Sequence, residues 1–247
     1  MKKNIPSLIL TFFLLFLWQA IAMSINAAYI LPSPLQILAK LWELREILIF
    51  VHLPATMSVT FLGLFISILL GIFLAILMDA SPKIENALYP LIIASQTIPT
   101  TAIAPLFVLW FGYTIWSKVL VTILITFFPI TITVYDGLKS TKREMEELLL
   151  TYKKTKKDIF IKLKLPTALP AFFFFFKMAI PMSIIGAAIA EWLGAQSGLG
   201  YFSKRMMTQL DGAGVFAPVV LLSFVAMVSV AIVSMIEKKL ITWRKEI

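Results

Sequence analysis

Glu191, Asp79 and Asp136 are carboxylates placed at the ends of long apolar runs, and Lys177 lies inside one. Ionisable groups at membrane depth are costly and mark functional positions by default. Near the run ends, however, hydration is available to the acids, and a lysine can extend its stem toward water. No chain of acids suggests a proton relay. Glu191 opens a glycine-rich passage, AEWLGAQSGLGYFSKRMMTQLDGAG, in which Gly194, Gly198 and Gly200 make a flexible outer turn. Such a loop beside a carboxylate raises phosphate binding, but no G-x-x-x-x-G-K-[ST] occurs anywhere, which excludes nucleotide hydrolysis by that route. The chain has no cysteine, so disulfides and thiolate chemistry are excluded. Its single histidine, His52, cannot build a metal site alone and reads as an interfacial loop residue. The expectation is therefore no catalytic residue, no metal and no cofactor.

A second group of polar residues carries a different chemistry. SQTIPTTAIAPLFVLWFG combines Gln96, Thr97, Thr100 and Thr101 with Pro99 and Pro105. Each proline deletes a helical hydrogen bond, and the neighbouring amide and hydroxyls can satisfy the freed backbone or line a wet path. Gln96, Thr97, Pro99, Thr100 and Thr101, with Glu191, are the candidates for a translocation path, against the plainer reading of a kinked packing helix.

The elements that position them are set by hydropathy. Of 247 residues, 60% are hydrophobic and 14% charged, which marks a membrane protein. A helix needs about 20 apolar residues to cross the hydrocarbon core. Six runs qualify, at roughly 5–25, 55–79, 86–112, 116–136, 168–193 and 214–236. The first run, preceded by Lys2 and Lys3 and followed by Asn26-Ala27-Ala28, has some features of a cleaved signal, but its length and Trp18 favour a retained span.

The net charge of +9 lies in short gaps between the runs, a topology pattern and not a nucleic-acid stripe. Lys2, Lys3, Lys83, Lys139, Lys142, Arg143, the lysines of 153–164 and the tail bases Lys238, Lys239, Arg244 and Lys245 fall on one side, against Lys40, Arg45, Lys118, Lys204 and Arg205 on the other. Both termini are expected in the cytoplasm. Between Leu31 and Pro54, apolar residues Leu35, Leu38, Leu41 and Trp42 recur at helical spacing, predicting an amphipathic helix along the outer interface.

The largest cytoplasmic loop, 137–167, holds EELLLTYKKTKKDIFIKLKLPTALP. Thr141 and Glu144 read as a capping box, and Met145, Leu148, Leu149 and Tyr152, then Ile159, Phe160 and Leu163, lie at helical spacing. Two short amphipathic helices with a basic elbow are predicted, the second stopped by Pro166. A positive-inside signal or a lipid-binding surface would account for the lysines. Neither needs the apolar face of Leu148, Tyr152, Ile159 and Phe160, which points to protein docking.

This loop resembles the EAA loop of binding-protein-dependent ABC importer permeases, E-A-A, three residues, G, nine residues, I-x-L-P. Glu147 takes the acidic position, Leu148 and Leu149 the alanines, Lys153 the glycine, Leu163 the isoleucine and Leu165-Pro166 the final pair. ILPSPLQIL, QTIPTTAIAPLFVLWFG, LPTALP and AEWLGAQSGLGY resemble, in the same order, the nitrate, sulfonate, taurine and bicarbonate branch, which also includes permeases for pyrimidine precursors of thiamine. The resemblance implies one all-α domain over 1–247 with the six spans of a type I importer permease, in a bacterial inner membrane surrounded by lipid. It further implies that the loop inserts as a coupling helix into a separate ATPase, that two permeases form a homodimer, and that an extracytoplasmic solute-binding protein delivers the solute. Leu149 and Lys153 depart from the family's small residues. A self-sufficient secondary transporter or channel, and an intramembrane enzyme, are the alternative classes.

Overall fold

The structure is a computed structural model and describes residues 5–241. Lys2, Lys3, Arg244 and Lys245 lie outside the described residues. Ten helices account for the architecture: α1 Ile5–Ile25, α2 Pro34–Glu43, α3 Arg45–Ala80, α4 Pro82–Ser95, α5 Thr100–Phe111, α6 Ile115–Lys139, α7 Arg143–Thr151, α8 Lys156–Gly194, α9 Leu199–Thr208 and α10 Gly212–Leu240. No strand is found among the described residues. Of the six expected spans, α1, α3, α6, α8 and α10 are continuous helices long and apolar enough to cross a bilayer. The run expected at 86–112 is not one helix: α4 and α5 meet at a 94° bend across residues 96–99.

The centre of the fold is the trio α3, α6 and α8, each packed along the other two. Apolar helices in lipid gain nothing from hiding from one another, so close approach of backbones and shared polar contacts must hold them. On α3 the buried residues Gly63, Ser67, Gly71 and Ala75 repeat every fourth position and form a narrow stripe toward α6. A Cβ on Gly63 would lie 2.6 Å from the Thr122 methyl, and one on Gly71 2.8 Å from Ile130 Cγ2. Between the glycines, the Ser67 and Thr126 hydroxyls meet at 2.7 Å. Lys177 extends to the last turn of α10, where it pairs with Glu237 at 2.6 Å.

Two predicted boundaries move for one reason. The second span begins at Arg45, not 55, and the helix expected to stop at Pro166 runs through it to Gly194. Proline in a regular helix collides with the carbonyl four residues back. Here a π-helical turn precedes each proline, at Leu48–His52 before Pro54 and at Phe160–Lys164 before Pro166. The wider turn contains the carbonyls of Phe50 and Lys162, so the helix axis passes the proline unbroken.

The amphipathic segment after α1 is the helix α2. Ser33 and Gln36 close a capping box at its start and Pro34 occupies its first turn. Ile37 is buried, the helix lies against α10, and Leu35, Leu38 and Trp42 face outward. Nearly all of α1 is exposed; its Trp18 ring meets Phe216 edge-on and the Gln19 amide oxygen accepts from the Leu35 N–H.

Candidate functional site

The path candidates sit at the bend. Pro99 disfavours helical geometry at Ile98 and lacks an N–H, so α4 ends at Ser95 and α5 starts afresh at Thr100. Pro105, by contrast, is carried inside α5. The loose ends are partly tied: the Gln96 and Thr97 amides donate to the Ile93 and Ala94 carbonyls at 3.1 Å, and the Thr97 hydroxyl donates to Ala94 at 2.8 Å. Gln96, Thr97, Pro99 and Thr101 are exposed and Thr100 is half-buried. One stretch of irregular backbone thus presents amide and hydroxyl groups between two spanning half-helices.

Glu191 belongs elsewhere. It is not hydrated but only 1% exposed, and it works with His52 and Thr56. Three side chains accept three successive backbone N–H groups: Gly198 donates to His52 Nδ1 at 3.1 Å, Leu199 to Thr56 Oγ1 at 2.8 Å and Gly200 to Glu191 Oε2 at 2.8 Å. The Thr56 hydroxyl lies 3.1 Å from the same Glu191 oxygen and donates to it. These N–H groups open α9, where an unpaired helix start favours acceptors and negative charge. Gly198 has φ +120°, and a Cβ there would overlap the Glu191 carboxylate; one on Gly200 would overlap the Ala188 carbonyl. Gly194 packs against Tyr113 and Val108. The glycines of this turn therefore permit close approach as well as turning. His52, read from sequence as an interfacial loop residue, is instead 4% exposed inside the π turn. Outside this clamp a cavity of about 480 Å³ is lined by Tyr113, Trp192, Gln196, Tyr201, Lys204 and Arg205.

In the loop between α6 and α8, Thr141 does not cap α7: its hydroxyl donates back to the Leu138 carbonyl, and Lys142 precedes the helix without a side-chain bond. The capping box lies downstream, between Thr155 and Asp158 at the start of α8. Helix α7 ends in a Schellman motif, with Lys153 donating to Leu150 at 2.9 Å and Lys154 to Leu149 at 3.1 Å. Lys153 itself has φ +55°. The position where the resemblance places glycine is thus the left-handed closing residue of α7, a conformation that glycine adopts without steric cost.

The expected apolar face divides. Met145, Leu148 and Tyr152 are exposed at 48, 49 and 70%, whereas Ile159 is buried and Phe160 packs toward α3 and α6. Glu147 accepts from Arg143 at 2.8 Å, but both are exposed, so the pair adds little stability. Leu163 and Pro166 are half-buried and Leu165 is exposed. Sequence reasoning missed Lys164, which lies 2.8 Å from Asp79 and 3.5 Å from Glu146. No local pattern in the sequence marked it, because Asp79 lies 85 positions away.

Residues 67–242 match the family described as binding-protein-dependent transport system inner membrane component. The chain is 51% identical, over the full length of both chains, to the formylaminopyrimidine transport permease protein ThiX of Halalkalibacterium halodurans. It is 30% identical to the putative aliphatic sulfonates transport permease protein SsuC of Bacillus subtilis, covering 92% of this chain and 83% of that one. Among solved structures, the inward-facing MetNI methionine ABC transporter shares the fold, with a TM-score of 0.58 at 17% identity over 72% of this chain and 93% of the other. The chain belongs to the binding-protein-dependent inner-membrane transport family and is a multi-pass permease subunit of an ABC importer, a transport component and not an enzyme.

Proposed function

We propose that this chain, as one transmembrane domain paired with a second copy of itself, forms the translocation path for an aminopyrimidine of the formylaminopyrimidine kind. The observation that carries the path is the exposed, irregular backbone at 96–99. Non-helical backbone at membrane depth is tolerated only where protein buries it or water reaches it. On a single chain this segment is uncovered, so a facing copy across a wet channel supplies what it lacks. Gln96, Thr97, Thr100 and Thr101 offer hydrogen bonds without fixed charge, which suits a neutral heterocycle. The full-length 51% identity to the formylaminopyrimidine permease favours that substrate over sulfonates.

The exposed face of Met145, Leu148 and Tyr152 on α7 is the docking surface for the ATPase, with Glu147 at its edge and Lys153 closing it. Ile159, Leu163, Leu165 and Pro166 root the knob in the bundle. The excess of Lys and Arg on this side puts it, and both termini, in the cytoplasm. The solute-binding protein then meets the opposite face, around Gly194, Gly198, Gly200 and the cavity beside Glu191. The exposed apolar surface of α1 meets lipid.

Reconstitution in proteoliposomes with the ATPase and the binding protein tests this reading. Uptake of labelled formylaminopyrimidine, with taurine excluded, is expected; uptake of taurine alone overturns the substrate. The variant Leu148→Glu is expected to insert normally and lose the ATPase during co-purification. Retention of the ATPase refutes the docking surface.

A further inference from the structure

We propose that Lys164 is a positioning residue that transmits movement of the docking helix α7 to the cytoplasmic end of α3. No spanning helix packs closely along α7. Between α7 and the bundle lies a cavity of about 510 Å³, lined by Ile76, Asp79, Glu146, Leu150, Ile159 and Phe160. Lys164 bridges this space. Its ammonium reaches both Asp79 oxygens, at 2.8 and 3.1 Å, and Glu146 Oε1 at 3.5 Å.

The three residues come from three different segments: Asp79 ends α3, Glu146 lies in α7, and Lys164 ends the π turn of α8. Their side chains are 7, 32 and 16% exposed, so the contact between Lys164 and Asp79 is the better shielded of the two. A shielded ion pair contributes little net stability, but losing one partner strands a charge at high cost. Such a pair fixes geometry more than it stabilises. Asp79 in turn stands four residues beyond Ala75, the last member of the small-residue stripe that seats α3 on α6. A push on α7 therefore has a short polar route into the central helices, across a gap that apolar packing does not fill.

The inference rests on the docking reading, whose own failure shows in the Leu148→Glu complex and not in the variants below. In the full permease–ATPase complex in proteoliposomes, Lys164→Gln is expected to keep its ATPase and basal hydrolysis, while transport per ATP hydrolysed falls about tenfold. Lys164→Arg, which preserves the charge, is expected to retain most of the coupling. Asp79→Asn is expected to resemble Lys164→Gln, and the double variant to be no worse than Lys164→Gln, because both act through one contact. Normal coupling in Lys164→Gln overturns the proposal. So does additive loss in the double variant, or failure of Lys164→Gln to retain the ATPase, which would make Lys164 part of the docking surface.

Discussion

Replacing Lys153 with glycine is expected to stabilise the loop it closes. At φ +55° a side chain bearing Cβ is held where L-residues are disfavoured by about 1–2 kcal/mol. Glycine removes that cost but gives up more backbone entropy on ordering, about 0.5–1 kcal/mol. The net gain for Lys153→Gly is about 0.5–1 kcal/mol, or about two- to fivefold in the ratio of closed to open Schellman turn. The side chain makes no compensating contact, since residue 153 is exposed, and the two closing bonds are made by backbone atoms. Hydrogen exchange reads the change directly. The amides of residues 153 and 154, bonded to the Leu150 and Leu149 carbonyls, should exchange about two- to fivefold more slowly in the glycine variant after correction for intrinsic rates. In Lys153→Ile, whose branched Cβ fits the left-handed region worse, they should exchange faster. Unchanged or weaker protection in the glycine variant refutes the argument that backbone conformation, not side-chain size, governs this position.

Gly198→Ala combines an unfavourable φ of +120° with a Cβ overlapping the Glu191 carboxylate, so the N-terminus of α9 cannot stay clamped. Thermal unfolding in detergent should fall by several degrees and proteolysis between 195 and 211 should rise; an unchanged profile sinks the clamp. Gly63→Val should force α3 from Thr122, where even a Cβ would stand 2.6 Å from the methyl, at about 1–3 kcal/mol. Folded yield by size-exclusion chromatography checks it, and wild-type yield counts against the small-residue stripe.

Hydropathy made most of the fold legible, because a spanning helix announces itself by length and composition. The bend at 96–99 was half legible: Pro99 and Pro105 both stood out, but only Pro99 breaks the span, since α5 accommodates Pro105 within its length. His52 and Glu191 were misplaced because each depends on a partner more than a hundred residues away, Gly198 for His52 and Thr56 for Glu191. Glu191 and Thr56 lie 135 positions apart, and no local pattern connects them. Thr141 looked like a cap on residue type and spacing, yet its hydroxyl had a nearer acceptor at the end of α6. Lys153 stands out in the sequence because the resemblance places glycine there, but its left-handed backbone angle has no local signature in residue types.

The two π turns connect these misreadings. Leu53-Pro54 and Leu165-Pro166 each follow a five-residue π turn closed by a bond from the leucine N–H, to Leu48 in one case and Phe160 in the other. Such a turn adds a residue to the helical circuit, so side chains at its end point in a different direction from a regular helix. The last residue of the first is His52, which reaches the Gly198 N–H near the start of α3; the last of the second is Lys164, which reaches Asp79 near the other end of α3. His52 joins Thr56 and Glu191 in clamping the start of α9, which also packs on α8 and α10, and Lys164 ties α7 through Glu146. Proline after leucine thus does more here than interrupt a helix. At Pro54 and Pro166 the wider turn ends on a polar side chain that makes a long-range contact, whereas Pro170, which also follows leucine, lies in regular α-helix.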